Sequence, residues 1–383
     1  MSNKSMILNL FFFNPQGDHR FSWRHPLSPT QEIFTLKYYI KLVQAAEAAK
    51  FDAVFVADHV AVWDSVASGL RHYANARLEP ITLLSALAAV TDHIGLMGTA
   101  STSYNEPFNL ARYFASLDYL SAGRASWNIV TSWLEEEASN FGLSGVTKHG
   151  DRYLRAEEFI HVVKQLWDSW EDGALQFDKG TGDFADPSKI HPINHKGAHF
   201  SVRGPLNVPR PPQGHPVLAQ AGSSEAGKNL AAAHADVHFC FINSVEEGLA
   251  YRADLNRRLE LKGRHSSDLK IITGVLPVVL EDESEEERRR QLEDSLIIDA
   301  VAIDLVSSYT RLDLTGLSPD SPLPALPDES EFDGIRTELA LLKKYDTSLS
   351  IREIGRRLVK SSSTWLLIGT AEHIADKLSA LYE

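Results

Sequence analysis

The chain has 383 residues, of which 43% are apolar, and a formal net charge of −13. This composition supports a large packed core and excludes wholesale disorder. The acidic balance argues against nucleic acid or an anionic membrane as the main partner, and no run approaches the ~18 apolar residues that a membrane-spanning helix needs.

The chain repeats one unit: a short apolar run, a few polar or glycine residues, then a stretch with helical spacing. The apolar runs lie at residues 7–13, 53–57, 94–99, 125–130, 217–221, 237–241 and 271–280. The helical stretches lie at residues 33–49, 80–90, 107–121, 152–170, 224–233, 245–261, 351–358 and 372–381. Alternating strands and helices predict a parallel sheet with helices outside it.

Repeated this often, the unit predicts an α/β fold of the (β/α)8 TIM-barrel type with insertions. The seven runs supply seven strands, and residues 365–368 are the remaining late candidate. That segment either closes the barrel or only leads into the last helix, in which case the final strand is lacking. We expect a single domain over residues 1–383.

Two segments interrupt the repeat. Residues 171–215 are rich in glycine and proline and predict turns and extended chain that fold over the barrel mouth as a lid. Residues 312–335 predict a second insertion. Cys240 lies within an apolar run and is interpreted as a small buried hydrophobe; with one cysteine and no signal peptide expected, the chain is predicted to be cytoplasmic.

A TIM barrel places its chemistry at the carboxyl ends of the strands, so the polar residues there are the candidates. Gly222, Ser223 and Ser224 end one apolar run and open a helical stretch. Free amides, two hydroxyl groups and the helix dipole would suit one phosphate monoester. An ordinary serine helix cap is an equally good interpretation.

Three further candidates follow or end other runs. Asp58 could accept a hydrogen bond from a ring N–H or a hydroxyl group, or it could cap a helix. No spacing of histidines and carboxylates assembles a metal site around it, and we expect no metal. Asn128 offers a donor and an acceptor to a heteroaromatic edge, with turn chemistry as the alternative. Ser103 belongs to a small-residue stretch that would admit a flat ring or form a plain polar loop.

His149 and Tyr153 are four residues apart at the start of a long helical stretch. They share a face if the helix begins there, and both side chains could donate to a phosphate. A solvated loop histidine is the alternative interpretation.

The ordered set of these motifs resembles the bacterial luciferase-like FMN-dependent monooxygenases, in the branch of the nitrilotriacetate, EDTA and dibenzothiophene sulfone monooxygenases. The resemblance covers nearly the whole chain. The matching segments are residues 10–13, 55–59, 78–84, 95–104, 117–128, 149–159, 199–207 and 220–224. Members of that family continue beyond the counterpart of residues 372–381 with a last strand and a tail, so the resemblance leaves open whether the strand set here is complete.

The resemblance implies a barrel that binds reduced FMN at its mouth. The residues implied in cofactor binding are Asp58, Ser103, Asn128, His149, Tyr153, Gly222, Ser223 and Ser224. Ser223 and Ser224 would take the phosphate, and Asn128 would approach the isoalloxazine edge. His19, just past the first run, is a candidate for steering the reaction or binding substrate, with a loop histidine of no function as the alternative.

The implied function is a two-component monooxygenase. It would use O2 and reduced FMN, delivered by a separate NAD(P)H:flavin reductase, to oxygenate a small organic molecule at a C–N, C–S, sulfone or sulfonate group. No G-x-G-x-x-G fingerprint for a nicotinamide cofactor occurs in the sequence. A homodimer or homotetramer is expected. The alternatives are a deazaflavin-dependent hydride transferase on the same fold and a non-catalytic flavin-binding protein.

Overall fold

The computed structural model describes residues 6–13, 17, 21–242, 244–282, 284–314, 316–326, 339, 342–343, 348–360 and 365–382. Its chain divides into two compact units. The first, here the sheet unit, comprises Met1–Phe13, Glu32–Val60 and Leu78–Gly274. The second, here the carboxyl-terminal unit, comprises Asn14–Gln31, Ala61–Arg77 and Val275–Glu383.

The strands alternate with helices along most of the chain. The strands are β1 (Asn9–Phe12), β2 (Ala53–Val56), β3 (Gly95–Ser101), β4 (Ala125–Val130), β5 (Leu175–Asp178), β6 (Asp183–Ala185), β7 (His195–Lys196), β8 (Ser201–Val202), β9 (Val217–Ala221), β10 (Val237–Cys240), β11 (Lys270–Thr273), β12 (Val275–Val279) and β13 (Trp365–Gly369). The helices are α1 (Leu36–Ala48), α2 (Gly69–His72), α3 (Pro80–Ala88), α4 (Pro107–Leu120), α5 (Glu135–Asn140), α6 (His149–Trp167), α7 (Glu225–His234), α8 (Val245–Leu261), α9 (Glu285–Leu296), α10 (Asp299–Thr310), α11 (Ile351–Lys360) and α12 (Ala371–Tyr382).

The sheet unit contains a seven-stranded parallel sheet in the order β1-β2-β3-β4-β9-β10-β11. Side chains alternate between its faces, as the period of a strand requires. One face packs on the helices: Trp127 of β4 is fully buried, with ring centroids 5.9 Å from Phe114 of α4 and 5.8 Å from Phe159 of α6. The other face, here the inner face, carries Phe55, Met97, Ala219 and Phe239 as a second cluster.

The prediction of one continuous strand over residues 271–280 was wrong. The chain leaves the seven-stranded sheet after Thr273, passes Gly274 and begins β12, which pairs in parallel with β13 in the carboxyl-terminal unit. Glycine has no side chain to pack and often marks such a break in a strand. Residues 365–369 form the strand β13, which pairs with β12 and directly precedes the last helix; closure of the barrel by this strand stays a prediction.

Residues 171–215 form two short antiparallel pairs, β5–β6 and β7–β8, joined by turns. Glu158 of α6 anchors this segment: its carboxylate accepts from the backbone N–H groups of His199 and Phe200 and pairs with His195. The lid function remains a prediction, as does the single domain. Of the predicted insertion 312–335, residues 315 and 327–335 lie outside the described part of the chain. The described helices include no apolar stretch of membrane-spanning length.

Candidate functional site

Four neighbouring strands of the sheet unit bring the predicted residues to one edge. Asp58 follows β2, Ser103 follows β3, Asn128 lies in β4 and Gly222 follows β9 directly. Since β2, β3, β4 and β9 are consecutive neighbours in a parallel sheet, their carboxyl ends meet at the same edge. His19 lies outside the described residues.

The loop from Gly222 to Ser224 leads from β9 into α7. Ser224 is the N-cap of that helix, and its Oγ accepts from the backbone N–H of Gly227 at 3.1 Å. The helix-cap interpretation of Ser224 is therefore present in the structure. A serine hydroxyl that accepts in a cap can still donate its own proton to an anion, and both Ser223 and Ser224 are exposed.

Two glycines allow the backbone of this loop to pack closely. A Cβ atom at Gly227 would lie 2.4 Å from the carbonyl oxygen of Gly222, which is closer than real Cβ contacts. A Cβ atom at Gly222 would lie 2.8 Å from Nε2 of Gln220 and 3.2 Å from the Tyr153 hydroxyl oxygen. The Gln220 and Tyr153 side chains therefore pack against the turn, and a larger residue at either glycine would displace its backbone.

Tyr153 joins the start of α6 to this loop. Its hydroxyl oxygen would be 3.2 Å and 3.1 Å from Cβ atoms added at Gly222 and Gly227. His149 is the first residue of α6, and its ring centroid lies 4.8 Å from that of Tyr153. The helix does begin at His149, three residues before the predicted start, so the two side chains share one face of α6.

Asn128 is 3% exposed and projects from the inner face of β4. Its Nδ2 donates to Thr99 Oγ1 at 2.9 Å, and that hydroxyl in turn donates to the Val56 carbonyl oxygen at 2.9 Å. Asn128 Oδ1 is buried and has no hydrogen-bond partner among the described residues. An unsatisfied buried acceptor costs about 1–3 kcal/mol, so a ligand that donates to this oxygen would recover that cost.

Ser103 has committed its hydroxyl proton to the protein: Oγ donates to the Thr131 carbonyl oxygen at 2.6 Å. Ser103 can therefore act toward a ligand as an acceptor. Asp58 lies two residues beyond the end of β2 and is partly exposed. Within the described residues, no group of three or more His, Cys, Asp or Glu side chains could hold a metal ion.

The sequence analysis missed a buried polar layer beneath the Gly222–Ser224 turn. His238 of β10 is fully buried; its Nε2 lies 2.7 Å from the Tyr251 hydroxyl oxygen, and the two rings stack. Burial raises the pKa of Tyr251 to about 12, although a hydrogen bond from Ser223 acts in the opposite direction. Tyr251 therefore connects the buried histidine with a serine of the turn. The available signal was a single polar residue in each of the apolar strands β9 and β10, Gln220 and His238, which are register partners in the sheet.

His238 makes stability depend on pH. Burial lowers its pKa from 6.5 to about 4, and Lys228 of α7 acts in the same direction. As the pH falls from 6.5 toward 4, the His238 ring of the unfolded chain becomes protonated before that of the folded protein. The stability of the folded protein is therefore greatest above pH 6.5 and decreases as the pH falls toward 4. We expect the wild-type free energy of unfolding to drop over this interval by about 3 kcal/mol more than that of His238→Gln, measured by urea titration. If the free energies of unfolding of the wild type and His238→Gln change in parallel with pH, the prediction is contradicted.

Comparison with known proteins yields consistent matches. The sequence profile of the family described as luciferase-like monooxygenase matches residues 18–383. The chain is 43% identical to nitrilotriacetate monooxygenase component A of Aminobacter aminovorans, over 98% of this chain and 85% of that protein. It is 37% identical to dibenzothiophene-sulfone monooxygenase of Rhodococcus erythropolis, over 94% of this chain and 82% of that protein. The crystal structure of DmoA from Hyphomicrobium sulfonivorans superposes with a TM-score of 0.85 at 32% identity, over 98% of this chain and 81% of that one.

Proposed function

The chain belongs to the luciferase-like monooxygenase family, and on that premise we propose that it is the oxygenating component of a two-component system that uses reduced FMN. It is an oxidoreductase of the TIM-barrel monooxygenase type. Its relatives named as monooxygenases are 32–43% identical over more than nine-tenths of the chain, which favours this function over a deazaflavin-dependent hydride transferase or a non-catalytic binding protein.

The observation that carries the proposal is a glycine–serine turn at the start of α7 together with an unsatisfied buried amide oxygen, Asn128 Oδ1, in the neighbouring strand β4. Gly222, Ser223 and Ser224 would hold the phosphate with their amides and hydroxyl groups at the start of α7. Tyr153 and His149 would donate from the start of α6. The flavin supplies an N–H group at its ring edge, and Asn128 Oδ1 is a buried acceptor without a partner in the described chain.

The remaining predicted contacts complete the cofactor site as proposals. Asp58 and Ser103 would accept hydrogen bonds from the hydroxyl groups or ring edge of the cofactor. When bound, reduced FMN supplies two electrons and two protons, so that one atom of O2 enters the substrate and the other leaves as water. The residues of the chain would bind the cofactor and the substrate and orient them for this oxygen transfer.

The cofactor would arrive already reduced. The sequence lacks the G-x-G-x-x-G fingerprint of a nicotinamide site, which supports a separate NAD(P)H:flavin reductase as the transient partner. The substrate would be a small organic molecule oxidised at a C–N, C–S, sulfone or sulfonate group, as the names of the relatives suggest. We propose assembly as a homodimer or homotetramer.

The test is oxygen transfer from ¹⁸O2. The protein is mixed with chemically reduced FMN, ¹⁸O2, catalase and a panel of tertiary amines, thioethers, sulfones and sulfonates, and the products are analysed by mass spectrometry. We expect one ¹⁸O atom in the product of at least one class. Catalase removes free hydrogen peroxide, which could otherwise oxidise thioethers without the enzyme. No labelled product across the panel would contradict monooxygenation.

A further inference from the structure

The inner face of the sheet unit carries a stack of phenylalanines. The ring centroid of Phe11 in β1 lies 4.7 Å from that of Phe55 in β2 and 5.4 Å from that of Phe239 in β10. Phe55 and Phe239 are 5.9 Å apart and edge to face. These distances are those of attractive aromatic pairs. The contact between β1 and β10, which are not neighbours in the sheet, shows that the inner face curls around this stack.

The stack continues to the carboxyl ends of two strands and becomes exposed there. Phe13 and Phe241 lie one residue beyond the ends of β1 and β10, two positions after Phe11 and Phe239. Ring centroids are 6.0 Å apart in the first pair and 5.0 Å in the second. Phe13 is 40% exposed and Phe241 is 42% exposed. Two large apolar rings are therefore presented at the end of the sheet where the cofactor would bind.

Aromatic side chains also follow β3 and β4. Tyr104 stacks on Phe141 at 4.7 Å with an interplanar angle of 6°, and Phe141 is 47% exposed. Trp133, in the loop after β4, is 51% exposed. Exposed large rings gathered at one end of a domain mark binding surfaces more often than scattered ones do.

The charges at this end do not suit an anionic substrate. Residues 57–60, 102–106, 131–134, 222–224 and 241–242, which follow β2, β3, β4, β9 and β10, contain no lysine or arginine; their ionisable groups include Asp58, His59 and Glu106. Burial raises the pKa of the Tyr104 phenol, as do Glu137 and Glu135, while Arg152 lowers it. The Arg152 guanidinium also donates to the Thr147 carbonyl oxygen. A second guanidinium, that of Arg155, donates to the carbonyl oxygens of Thr102 and Asn105, so both cations near Tyr104 are already engaged with backbone carbonyl groups of the protein.

We infer that the substrate is a neutral, apolar compound bearing an aromatic ring, bound against Phe13 and Phe241, rather than a polycarboxylate. This inference rests on the proposed function, because it places the substrate beside the flavin. The two named relatives illustrate the two chemistries: one is named for the tricarboxylate nitrilotriacetate and the other for the neutral tricyclic dibenzothiophene sulfone. A carboxylate-rich substrate would need cations at the strand ends, whereas flat rings stack on exposed phenylalanines.

The test compares binding of dibenzothiophene sulfone and nitrilotriacetate by calorimetry, with oxidised FMN saturating so that no turnover occurs. FMN binding is measured first and by itself. We expect the sulfone to bind at least about tenfold more tightly than nitrilotriacetate. Phe241→Ala and Phe13→Ala should each weaken sulfone binding about fivefold or more without changing the FMN affinity. The control Tyr113→Ala removes a ring that is 45% exposed on α4 and should change neither.

Equal or tighter binding of nitrilotriacetate, no binding of either compound, or sulfone binding that is unchanged in both phenylalanine variants would overturn the inference. Failure of FMN to bind the wild-type protein would instead contradict the proposed function. In that case the two compounds are compared on the protein without flavin, and the same criteria decide the inference. A Phe241→Leu variant, which retains apolar bulk, should bind the sulfone with an intermediate affinity and guards against loss of folding in the alanine variant.

Discussion

Gly227→Ala is expected to lower the affinity for reduced FMN by about a hundredfold, which corresponds to about 2.7 kcal/mol, while changing riboflavin affinity much less. The added Cβ would lie 2.4 Å from the Gly222 carbonyl oxygen and 3.1 Å from the Tyr153 hydroxyl oxygen. Backbone must move to relieve the first contact, and the backbone that moves is the turn proposed to hold the phosphate. Riboflavin lacks the phosphate and does not depend on that turn.

The measurement is anaerobic titration of each flavin, with circular dichroism to verify that the variant is folded. Gly248→Ala is the matched control: it also lies in a helix, α8, and its added Cβ would be 3.5 Å from Ile242 Cγ2, an ordinary contact. We expect wild-type affinities there. A Gly227→Ala protein that is folded and still discriminates FMN from riboflavin as the wild type does would place the phosphate elsewhere.

Asn128→Leu is expected to weaken cofactor binding while changing stability little. Leucine has a similar shape and removes the buried Oδ1 atom that has no partner in the described chain, but it also removes the hydrogen bond from Nδ2 to Thr99 Oγ1. Thr99 keeps its own bond to the Val56 carbonyl oxygen, so the relief of one unsatisfied acceptor offsets the lost bond, and we expect the protein without flavin to change by less than about 1 kcal/mol. The FMN affinity should fall about tenfold or more, because the ring edge loses its acceptor.

Ser126→Ala is the control on the same strand and face. Ser126 Oγ donates to the Val217 carbonyl oxygen at 2.9 Å, so its loss should cost about 1 kcal/mol of stability and leave FMN binding unchanged. Urea titration and flavin titration of both variants measure the two quantities. A destabilised Asn128→Leu protein with wild-type FMN affinity would assign Asn128 a purely structural role.

Sequence patterning predicted the elements that have local signals. Strands β4 and β9 and helix α8 have the predicted bounds. Helices α3 and α4 begin at Pro80 and Pro107, where proline at the first turn costs no hydrogen bond. The break at Gly274 was not predicted, because a change of partner strand depends on residues nearly 100 positions away in β13.

The placement of the candidate site residues could be predicted in part for the same reason, and their roles stay predictions. Residues next to strand ends could be identified because a parallel fold sends them all to one edge. The layer formed by His238 and Tyr251 could not, since the two residues belong to different elements and meet through packing of α8 on the sheet. The unsatisfied state of Asn128 Oδ1 is likewise a property of the folded interior rather than of the local sequence.

Anaerobic calorimetry with reduced FMN tests the central claim most directly, namely that a phosphorylated flavin binds at the carboxyl end of the parallel sheet through the turn at Gly222–Ser224. We predict saturable binding at one site per chain, together with a higher melting temperature, and much weaker binding of reduced riboflavin. Absence of both binding heat and thermal stabilisation with reduced FMN would contradict the account.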